Sequence, residues 1–256
     1  MLFNKKIVCI IPARLASTRF PKKILTMLND KPLLQWVWQA AQRVPFFDDI
    51  RFAIDAPETA ELLKSFGASF EMTSVSCNSG AERLVELHQS ERVKGDIWVN
   101  WQGDEPFATA TMIEQLLQSI DINDTDMWTL KKRITKPDDI TSPNIAKVVC
   151  GAYGQALYFS RSPIPFFRDE KDINLLVQKN VYYKHVGLYA YTSEALEKIA
   201  QFPKDNPLEN AEKLEQLRFL AHGLRIKLHE TDTEVIGIDT QADLLKAENY
   251  AKNIVF

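Results

Sequence analysis

A basic loop follows the first apolar run of the chain, at residues 12–23. Its cationic side chains fall within ten residues and are interleaved with small ones: Arg14, Ala16, Ser17, Arg19, Lys22 and Lys23. Arginine offers a planar fork to phosphate oxygens and lysine a point charge, so the loop predicts a triphosphate ligand. The alternative is a solvated basic loop, which the position after a buried strand disfavours. The loop contains no glycine, which excludes a Walker loop and a dinucleotide fingerprint.

Two acidic positions supply the complementary chemistry. Asp104 lies in Gln102-Gly103-Asp104-Glu105-Pro106, directly after another apolar run, and Asp239 precedes the last predicted helix. A carboxylate at a strand end can hold Mg²⁺ together with phosphate oxygens. Taken singly, Asp104 is also compatible with a helix N-terminus or a surface turn, and Asp239 with a helix N-cap. Together with the basic loop, they are what metal-assisted phosphoryl transfer requires.

The elements that would position these segments can be predicted from hydrophobic periodicity. Short apolar runs alternate with helical patterns over the first 120 residues, which predicts parallel strands joined by crossover helices. The predicted strands are 7–11, 52–54, 68–72 and 97–101. The predicted helices are one opened by Pro32, one at 57–66 with Gly67 as its left-handed C-cap, and one at 82–89. This half has the pattern of a doubly wound, Rossmann-like α/β fold.

The second half has a different pattern. Predicted strands at 127–134, 145–150, 156–160 and 181–191 are separated more by loops than by helices. Predicted helices at 208–222 and 241–251 flank strand material at 225–229. We therefore expect one domain over residues 1–256, with a mixed, mostly parallel sheet extended by an antiparallel excursion.

Composition restricts the class of protein. The 256 residues carry a net charge of −3, which argues against a nucleic-acid partner. There is no apolar run of the length that spans a bilayer, and the N-terminal run is too short for a signal-peptide core. Cys9, Cys77 and Cys150 fit neither a disulfide framework nor a zinc site. We expect a cytoplasmic protein without membrane insertion.

With these segments in view, the chain resembles the CMP-Kdo synthetases, the 3-deoxy-manno-octulosonate (Kdo) cytidylyltransferases. The resemblance extends over almost the whole chain and depends on motifs that occur in the family's order. They are Ile11-Pro12-Ala13-Arg14, Ser17-Thr18-Arg19-Phe20-Pro21 with Lys23, Met72-Thr73-Ser74, Ser79-Gly80-Ala81-Glu82-Arg83-Leu84, Gln102-Gly103-Asp104-Glu105-Pro106, Ala156-Leu157-Tyr158-Phe159-Ser160-Arg161-Ser162-Pro163-Ile164-Pro165, Lys184-His185-Val186-Gly187-Leu188-Tyr189-Ala190-Tyr191, Leu214-Glu215-Gln216-Leu217-Arg218 and Asp239-Thr240.

The resemblance implies a nucleotidyltransferase fold with a nucleotide-binding half, about 1–120, and a sugar-binding and dimerisation half, about 121–256. The residues it implies for CTP are Arg14, Ser17, Arg19, Lys23, Ser79, Gly80, Arg83 and Gln102. The catalytic residues among the implied set are Arg14, Arg19, Lys23 and Asp104, and the Mg²⁺ ligands are Asp104 and Asp239. The residues implied for the sugar pocket are Arg161, His185, Tyr189, Glu215 and Gln216. It further implies a homodimer joined through the excursion around 158–191, and a role in lipopolysaccharide biosynthesis.

Several positions depart from the family pattern. Lys22 and Asp30 stand where glycine is usual, and Ile24 where proline is usual. Ala81 replaces a threonine near the expected nucleotide, and Trp101 replaces a smaller aliphatic residue. None of these changes removes an implied metal ligand or phosphate-binding charge, so we expect an active enzyme.

The implied reaction is in-line attack of the sugar's anomeric hydroxyl on the α-phosphorus of CTP, with pyrophosphate as the leaving group. Two alternatives stay open on the sequence. The same chemistry could act on another acidic sugar, such as 8-amino-Kdo or a sialic-acid-like sugar. The chain could also be a non-catalytic nucleotide-binding sensor.

Overall fold

The computed structural model describes residues 4–17, 20–122, 124–234 and 236–252, so Arg19 lies outside the described residues. The strands are β1 (Ile7–Ala13), β2 (Met27–Leu28), β3 (Lys31–Pro32), β4 (Asp49–Ile54), β5 (Phe70–Met72), β6 (Ile97–Asn100), β7 (Met127–Arg133), β8 (Lys147–Cys150), β9 (Ala156–Ser160), β10 (Tyr183–Thr192) and β11 (Ile226–Glu230). The helices are α1 (Leu33–Gln42), α2 (Pro57–Ser65), α3 (Gly80–Gln89), α4 (Ala110–Leu117), α5 (Pro137–Thr141), α6 (Ile173–Gln178), α7 (Ser193–Gln201), α8 (Pro207–Glu212), α9 (Gln216–Ala221) and α10 (Gln241–Ala251).

The chain divides into two compact units. Unit 1 consists of Met1–Ile113 and Glu234–Phe256, and unit 2 of Glu114–Thr233. The C-terminal segment therefore belongs to unit 1, where Ile238 and Leu244 join a buried cluster with Leu33 and Trp36. The organisation as one domain with a boundary near residue 120 stays a prediction.

Unit 1 contains the predicted parallel strands. β1 pairs in parallel with β4 and with β6, and β4 pairs in parallel with β5. Ile7 to Ile11 are completely buried, because a central parallel strand is covered on both faces. α1, α2 and α3 form the crossovers, and Gly67 has φ +71° directly after the C-cap of α2. The carboxyl ends of these strands therefore lie along one edge, where the basic loop and Asp104 follow.

Unit 2 contains the antiparallel strands. β10 pairs antiparallel with both β7 and β8, β8 pairs antiparallel with β9, and β11 runs parallel to β7. The predicted α/β fold class, with parallel strands and an antiparallel excursion, is confirmed. The dimerisation role of the excursion stays a prediction.

The single helix predicted over 208–222 is wrong. The structure has α8 and α9 instead, and Lys213 between them has φ 54° and ψ 46°, a left-handed conformation that ends α8. A tertiary contact accompanies the break: the Glu212 carboxylate accepts hydrogen bonds from the Ser160 hydroxyl at 2.6 Å and the Arg161 amide at 2.8 Å. Apolar periodicity does not reveal such a contact. Because the chain breaks at Lys213, Glu212 ends α8 and Gln216 begins α9, so the two residues do not share one helical face.

The sequence analysis also missed several short elements. The hairpin β2–β3 and the helices α4 to α7 were not predicted, and α5 and α6 lie in connections that we expected to be loops. These elements are short, and a short element without both a proline and a glycine at its boundaries has too few periodic positions to stand out from a loop. Within the described residues, no helix has the length and apolar character needed to cross a membrane.

Candidate active site

A pocket of about 280 Å³ lies in unit 1 at the carboxyl ends of its strands. Among its lining residues are those predicted for the nucleotide and the metal: Arg14, Ser17, Lys23, Ser79, Gly80, Arg83, Gln102, Asp104 and Asp239. Segments separated by more than 200 residues along the chain thus meet at one place. Pro12, Ala16, Ile24, Asn78 and Gly103 complete the lining.

Backbone contacts explain why the basic loop and the two acidic segments meet. The Gly103 amide donates to the Pro12 carbonyl at 3.3 Å, and a side chain at Gly103 would bring its Cβ to 2.8 Å from that oxygen. The position therefore requires glycine. The Ile238 amide donates to the Asp104 carbonyl at 3.0 Å. This bond brings Asp239 beside Asp104 although the two residues belong to distant segments.

Lys23 lies between the two predicted metal ligands. Its ammonium donates to Asp104 at 2.5 Å and to Asp239 at 2.8 Å. Burial alone would lower the pKa of Lys23, but the two carboxylates outweigh burial and raise the pKa above its ordinary value. The oxygens of Asp104 and Asp239 are thus directed at a single cationic group.

Asp239 is not the N-cap of α10. Thr240 caps this helix, and its side chain and that of Asp243 form a reciprocal capping box. The carboxylate of Asp239 instead reaches Lys23. Asp104 lies six residues before the start of α4, and its side chain lines the pocket. Neither carboxylate therefore occupies a helix N-terminus, which was the alternative interpretation of each residue.

A third carboxyl group, Glu105, follows Asp104. Burial, together with the charges of Asp104 and Asp239, raises the pKa of Glu105 to about 8. Its Oε2 is buried and has no hydrogen-bond partner among the residues that the structure describes. Glu105 is therefore protonated at neutral pH and adds no charge to the carboxylate pair. The Trp101 indole donates to the Glu105 carbonyl at 3.0 Å, which closes this turn.

The opposite wall of the pocket is formed by the start of α3. The Ser79 side chain caps this ten-residue helix by accepting from the Glu82 amide at 3.2 Å. A Cβ at Gly80 would lie 2.9 Å from Asn100 Nδ2, so only glycine leaves the observed space. Gln102 Nε2 donates to Asn100 Oδ1 at 3.2 Å, which orients the Gln102 amide. Ala81 is completely buried, so its side chain faces the core.

Arg83 is more deeply buried than Arg14 and Lys23, the other cationic residues that line the pocket. Its Nη2 donates to Asp55 Oδ2 at 2.8 Å, and its Nη1 donates to Thr73 Oγ1 at 2.5 Å. Sequence analysis missed Asp55. Its position could have indicated a role, because Asp55 directly follows the carboxyl end of β4, just as Asp104 comes shortly after the carboxyl end of β6.

The five residues predicted for the sugar lie in unit 2. Arg161 donates from Nε to the Glu212 carbonyl at 2.7 Å and from Nη1 to the Pro143 carbonyl at 2.9 Å, so its guanidinium braces the backbone. Glu215 accepts from Arg218 Nη2 at 3.2 Å. The Nε2 of Gln216 is buried and has no hydrogen-bond partner among the described residues.

His185 and Tyr189 are neighbours on β10, with ring centroids 5.3 Å apart. His185 Nε2 lies 2.9 Å from Thr129 Oγ1, and the imidazole also packs on Phe159. Burial lowers the pKa of His185 to about 3, so its imidazole is neutral at physiological pH. The sugar-binding role of these five residues stays a prediction.

Lys22 has φ 54° and ψ 29°, a left-handed conformation. Its ammonium pairs with Glu58 at 2.9 Å on the exposed surface. Glycine adopts this conformation at no steric cost, which gives a physical reason for the glycine usual in similar proteins. Asp30 is exposed, and it follows Asn29, which has φ 54°.

A parallel sheet that brings a cationic loop and a carboxylate pair to its carboxyl edge defines an α/β nucleotide-binding protein. Comparison with known proteins narrows this class. The profile of the cytidylyltransferase family matches residues 8–226. A 3-deoxy-manno-octulosonate cytidylyltransferase of Geobacter metallireducens is 44% identical over 247 residues, which cover 94% of this chain and 96% of that protein. The chain therefore belongs to the cytidylyltransferase family, among the 3-deoxy-manno-octulosonate cytidylyltransferases.

Solved structures agree with this assignment. A CMP:2-keto-3-deoxy-manno-octonic acid synthetase complexed with CTP superposes with a TM-score of 0.88 and is 36% identical, covering 97% of this chain and 100% of its own. A cytidylyltransferase from Leptospira borgpetersenii shares the fold, with a TM-score of 0.63 at 15% identity, covering 98% of this chain and 88% of its own.

Proposed function

We propose that this protein transfers CMP from CTP to 3-deoxy-manno-octulosonate and releases pyrophosphate. The observation that carries the proposal is the unit 1 pocket, in which Arg14 and Lys23 face Asp104 and Asp239. The family to which the chain belongs supports the same activity, since its relative in Geobacter metallireducens bears the name of this transferase. CTP and an acidic eight-carbon sugar are the substrates that we assign.

The chain's own residues can bind each part of CTP. Arg14, Ser17 and Lys23 line the side of the pocket formed by the basic loop and would hold the triphosphate. Ser79 and Gly80 lie at the start of α3, on the wall of the pocket, and would face the base and the ribose. Gln102, oriented by Asn100, would contact the base or ribose. We retain Arg19 as a phosphate-binding residue on the family resemblance alone.

We propose Asp104 and Asp239 as the residues that hold Mg²⁺. No group of three or more His, Cys, Asp and Glu side chains is placed to hold a metal within the described part of the chain. Two carboxylates are nevertheless sufficient for Mg²⁺, which completes its shell with water and phosphate oxygens. Their oxygens fit a shared cation, because both contact the single ammonium of Lys23. When bound, Mg²⁺ supplies stabilisation of phosphoryl charge.

The transfer needs no nucleophile from the protein. The anomeric hydroxyl of the sugar attacks the α-phosphorus in line, a new P–O bond forms, and the bond to the pyrophosphate oxygen breaks. The pyrophosphate leaves with the bonding electron pair, and the hydroxyl proton is released to solvent. Negative charge accumulates on the departing pyrophosphate. Arg14 and Lys23 would stabilise that charge from fixed positions on the loop, which is the main contribution that a protein makes to phosphoryl transfer.

The sugar site that we assign consists of Arg161, His185, Tyr189, Glu215 and Gln216. Two observations in unit 2 support a polar ligand there. The buried Nε2 of Gln216 offers a hydrogen bond for which no partner exists among the described residues. The neutral imidazole of His185 can exchange hydrogen bonds with sugar hydroxyls over the whole physiological pH range.

We also propose a cytoplasmic homodimer that supplies lipopolysaccharide biosynthesis. Three free thiols, Cys9, Cys77 and Cys150, are consistent with a reducing compartment. In unit 2, Leu157 is 58% exposed and Phe166 84%, and both lie in or beside the excursion around 158–191 that the family resemblance implies as the dimer interface. The pathway rests on the family resemblance.

The decisive experiment measures pyrophosphate release from CTP and Mg²⁺ with and without Kdo, and identifies the product by mass. Kdo-dependent release with formation of CMP-Kdo is the expected result. Release only with 8-amino-Kdo or a sialic-acid-like sugar would keep the chemistry and change the substrate. CTP binding without turnover on any of these sugars would refute the proposed activity in favour of a nucleotide sensor.

A further inference from the structure

A carboxylate behind the pocket connects its two walls. Asp55 directly follows β4, and its side chain is 10% exposed. Its Oδ1 accepts a hydrogen bond from the Leu15 amide at 2.9 Å, in the basic loop. Its Oδ2 accepts from Arg83 Nη2 at 2.8 Å, on α3. One side chain therefore holds both the loop that follows β1 and the arginine that lines the other wall.

The guanidinium of Arg83 has a second hydrogen-bond partner besides Asp55. Arg83 Nη1 donates to Thr73 Oγ1 at 2.5 Å, and the Thr73 hydroxyl in turn donates to the Ile54 carbonyl at 2.9 Å. The Arg83 side chain is only 2% exposed. A buried guanidinium with its counter-charge and its neutral acceptor in place adopts one orientation, since each change of rotamer would leave buried polar groups unpaired.

The other end of the connection is the loop that follows β1. The loop between β1 and Lys23 carries Arg14 and Ser17 on the pocket surface. The bond from the Leu15 amide to Asp55 anchors the described first part of this loop, residues 14–17. A loop that is fixed before the ligand arrives loses less conformational freedom on binding, and the difference appears as affinity.

We propose that Asp55 is a positioning residue of the nucleotide pocket, which holds the basic loop and Arg83 at a set separation so that the site accepts a nucleoside triphosphate without rearrangement. The proposal rests on the proposed function only in taking the pocket as the CTP site. Asp55 lies behind the lining and takes no part in the chemical step. Its loss should therefore weaken nucleotide binding much more than turnover.

The test is Asp55→Asn, which keeps the shape of the side chain but has a single acceptor oxygen and no charge. We expect the KM for CTP to rise by about tenfold or more, whereas kcat and the KM for Kdo change by less than about threefold. The Kd for CTP, measured by calorimetry, should rise in parallel. Melting temperature and circular dichroism establish that the variant is folded.

Asp49→Asn is the matched control. Asp49 opens the same strand and pairs with Arg51 Nε at 2.8 Å, so this change also removes one carboxylate–arginine pair but lies at the opposite end of β4. It should leave the KM and the Kd for CTP unchanged. If Asp55→Asn fails to fold, Asp55→Glu replaces it. This variant keeps the charge but moves the carboxylate by one methylene from the Leu15 amide and Arg83 Nη2, and a rise in the Kd of about threefold is expected.

The outcomes separate this inference from the proposed function. An unchanged Kd for CTP in folded Asp55→Asn, or in folded Asp55→Glu where that variant replaces it, overturns the inference. Equal effects of Asp55→Asn and Asp49→Asn overturn it as well, because they indicate general destabilisation. A wild-type protein that binds CTP but transfers nothing to Kdo refutes the proposed activity, while the calorimetric comparison still decides the role of Asp55. A wild-type protein that does not bind CTP refutes both.

Discussion

Removal of Lys23 is the perturbation that most directly tests how the acidic pair is organised. In Lys23→Met the side chain remains unbranched, becomes one heavy atom shorter and loses its charge. Asp104 and Asp239, which share the ammonium at 2.5 and 2.8 Å in the wild type, then lose this common cation. We expect the variant to be less stable in the absence of Mg²⁺ and to respond to Mg²⁺ more strongly than the wild type.

The size of the expected loss of stability follows from the exposed fractions of the three side chains. The side chains of Lys23 and Asp104 are 14% and 27% exposed, so this bond contributes about 1.5–3 kcal/mol, the range for hydrogen bonds to charged groups. Asp239 is 44% exposed, and solvent screening limits its pair with Lys23 to about 0–1 kcal/mol. The combined loss of roughly 1.5–4 kcal/mol lowers the Tm by about 3–16 °C in a chain of this size.

Mg²⁺ should reverse this loss. In the wild type the ion competes with Lys23 for the same two carboxylates, whereas in Lys23→Met it meets them directly. A ligand at about 100 times its Kd stabilises by about 2.7 kcal/mol, which is within the range of this loss. The assay is a thermal melt of both proteins over a titration of MgCl₂ against EDTA.

Lys22→Met provides the control, because Lys22 is adjacent to Lys23 in sequence and both side chains of its ion pair with Glu58 are exposed to solvent. That variant should lose no more than about 1 kcal/mol and should respond to Mg²⁺ as the wild type does. An equal Mg²⁺ response in Lys23→Met and wild type would refute the reasoning, since it would mean that Lys23 and the metal do not share the two carboxylates.

Three further predictions concern turnover, backbone strain and pH. Asp104→Asn should lower kcat by a factor on the order of 10² or more at saturating Mg²⁺, because it weakens the electrostatics of the metal site. Lys213→Gly should stabilise by roughly 0.5–1 kcal/mol, since φ 54° strains any residue with a side chain, and a thermal melt measures the gain. Burial lowers the pKa of His185 to about 3, and burial with Lys227 nearby lowers that of His229 to about 4. Unfolded histidines bind protons near pH 6.5, so the stability should fall as the pH drops from about 6.5 towards 4.

Each of these has a matched control. Asp138→Asn removes an exposed carboxylate of α5 and should leave kcat unchanged; comparable losses in both variants would argue against the metal role of Asp104. Lys213→Ala keeps a Cβ and should not stabilise; a gain equal to that of glycine would exclude strain as the cause. His229→Gln should lose less stability than wild type between pH 7 and 5, by about 2 kcal/mol at most; an unchanged pH dependence would contradict the low pKa.

The parallel strands of unit 1 and the helices that join them were predictable because they are local patterns. β1 is an uninterrupted apolar run, and α2 begins at Pro57 and is followed by Gly67, so its bounds are encoded in neighbouring residues. The candidate site was predictable for a related reason. Arg14, Lys23 and Asp104 follow strands, and parallel strands end at one edge, so sequence position implied that they meet.

Contacts between distant segments could not be predicted in this way. The break at Lys213 accompanies bonds from Ser160 and Arg161 to Glu212, more than 50 residues away in sequence. The pairing of Lys23 with both carboxylates depends on the bond from the Ile238 amide to the Asp104 carbonyl, which periodicity does not report. Asp55 escaped notice because its significance lies in two partners, Leu15 and Arg83, on different elements.

The sequence by itself determined the α/β class, the parallel order of unit 1 and the residue types that gather at its edge. Only the tertiary structure decided which of these side chains face the pocket and which are already engaged. Arg83 and Arg14 are both arginines beside a predicted nucleotide, yet one is buried against Asp55 and the other is exposed. Residue type specifies what a side chain can bind, whereas packing and hydrogen-bond partners specify whether that capacity is free for a ligand.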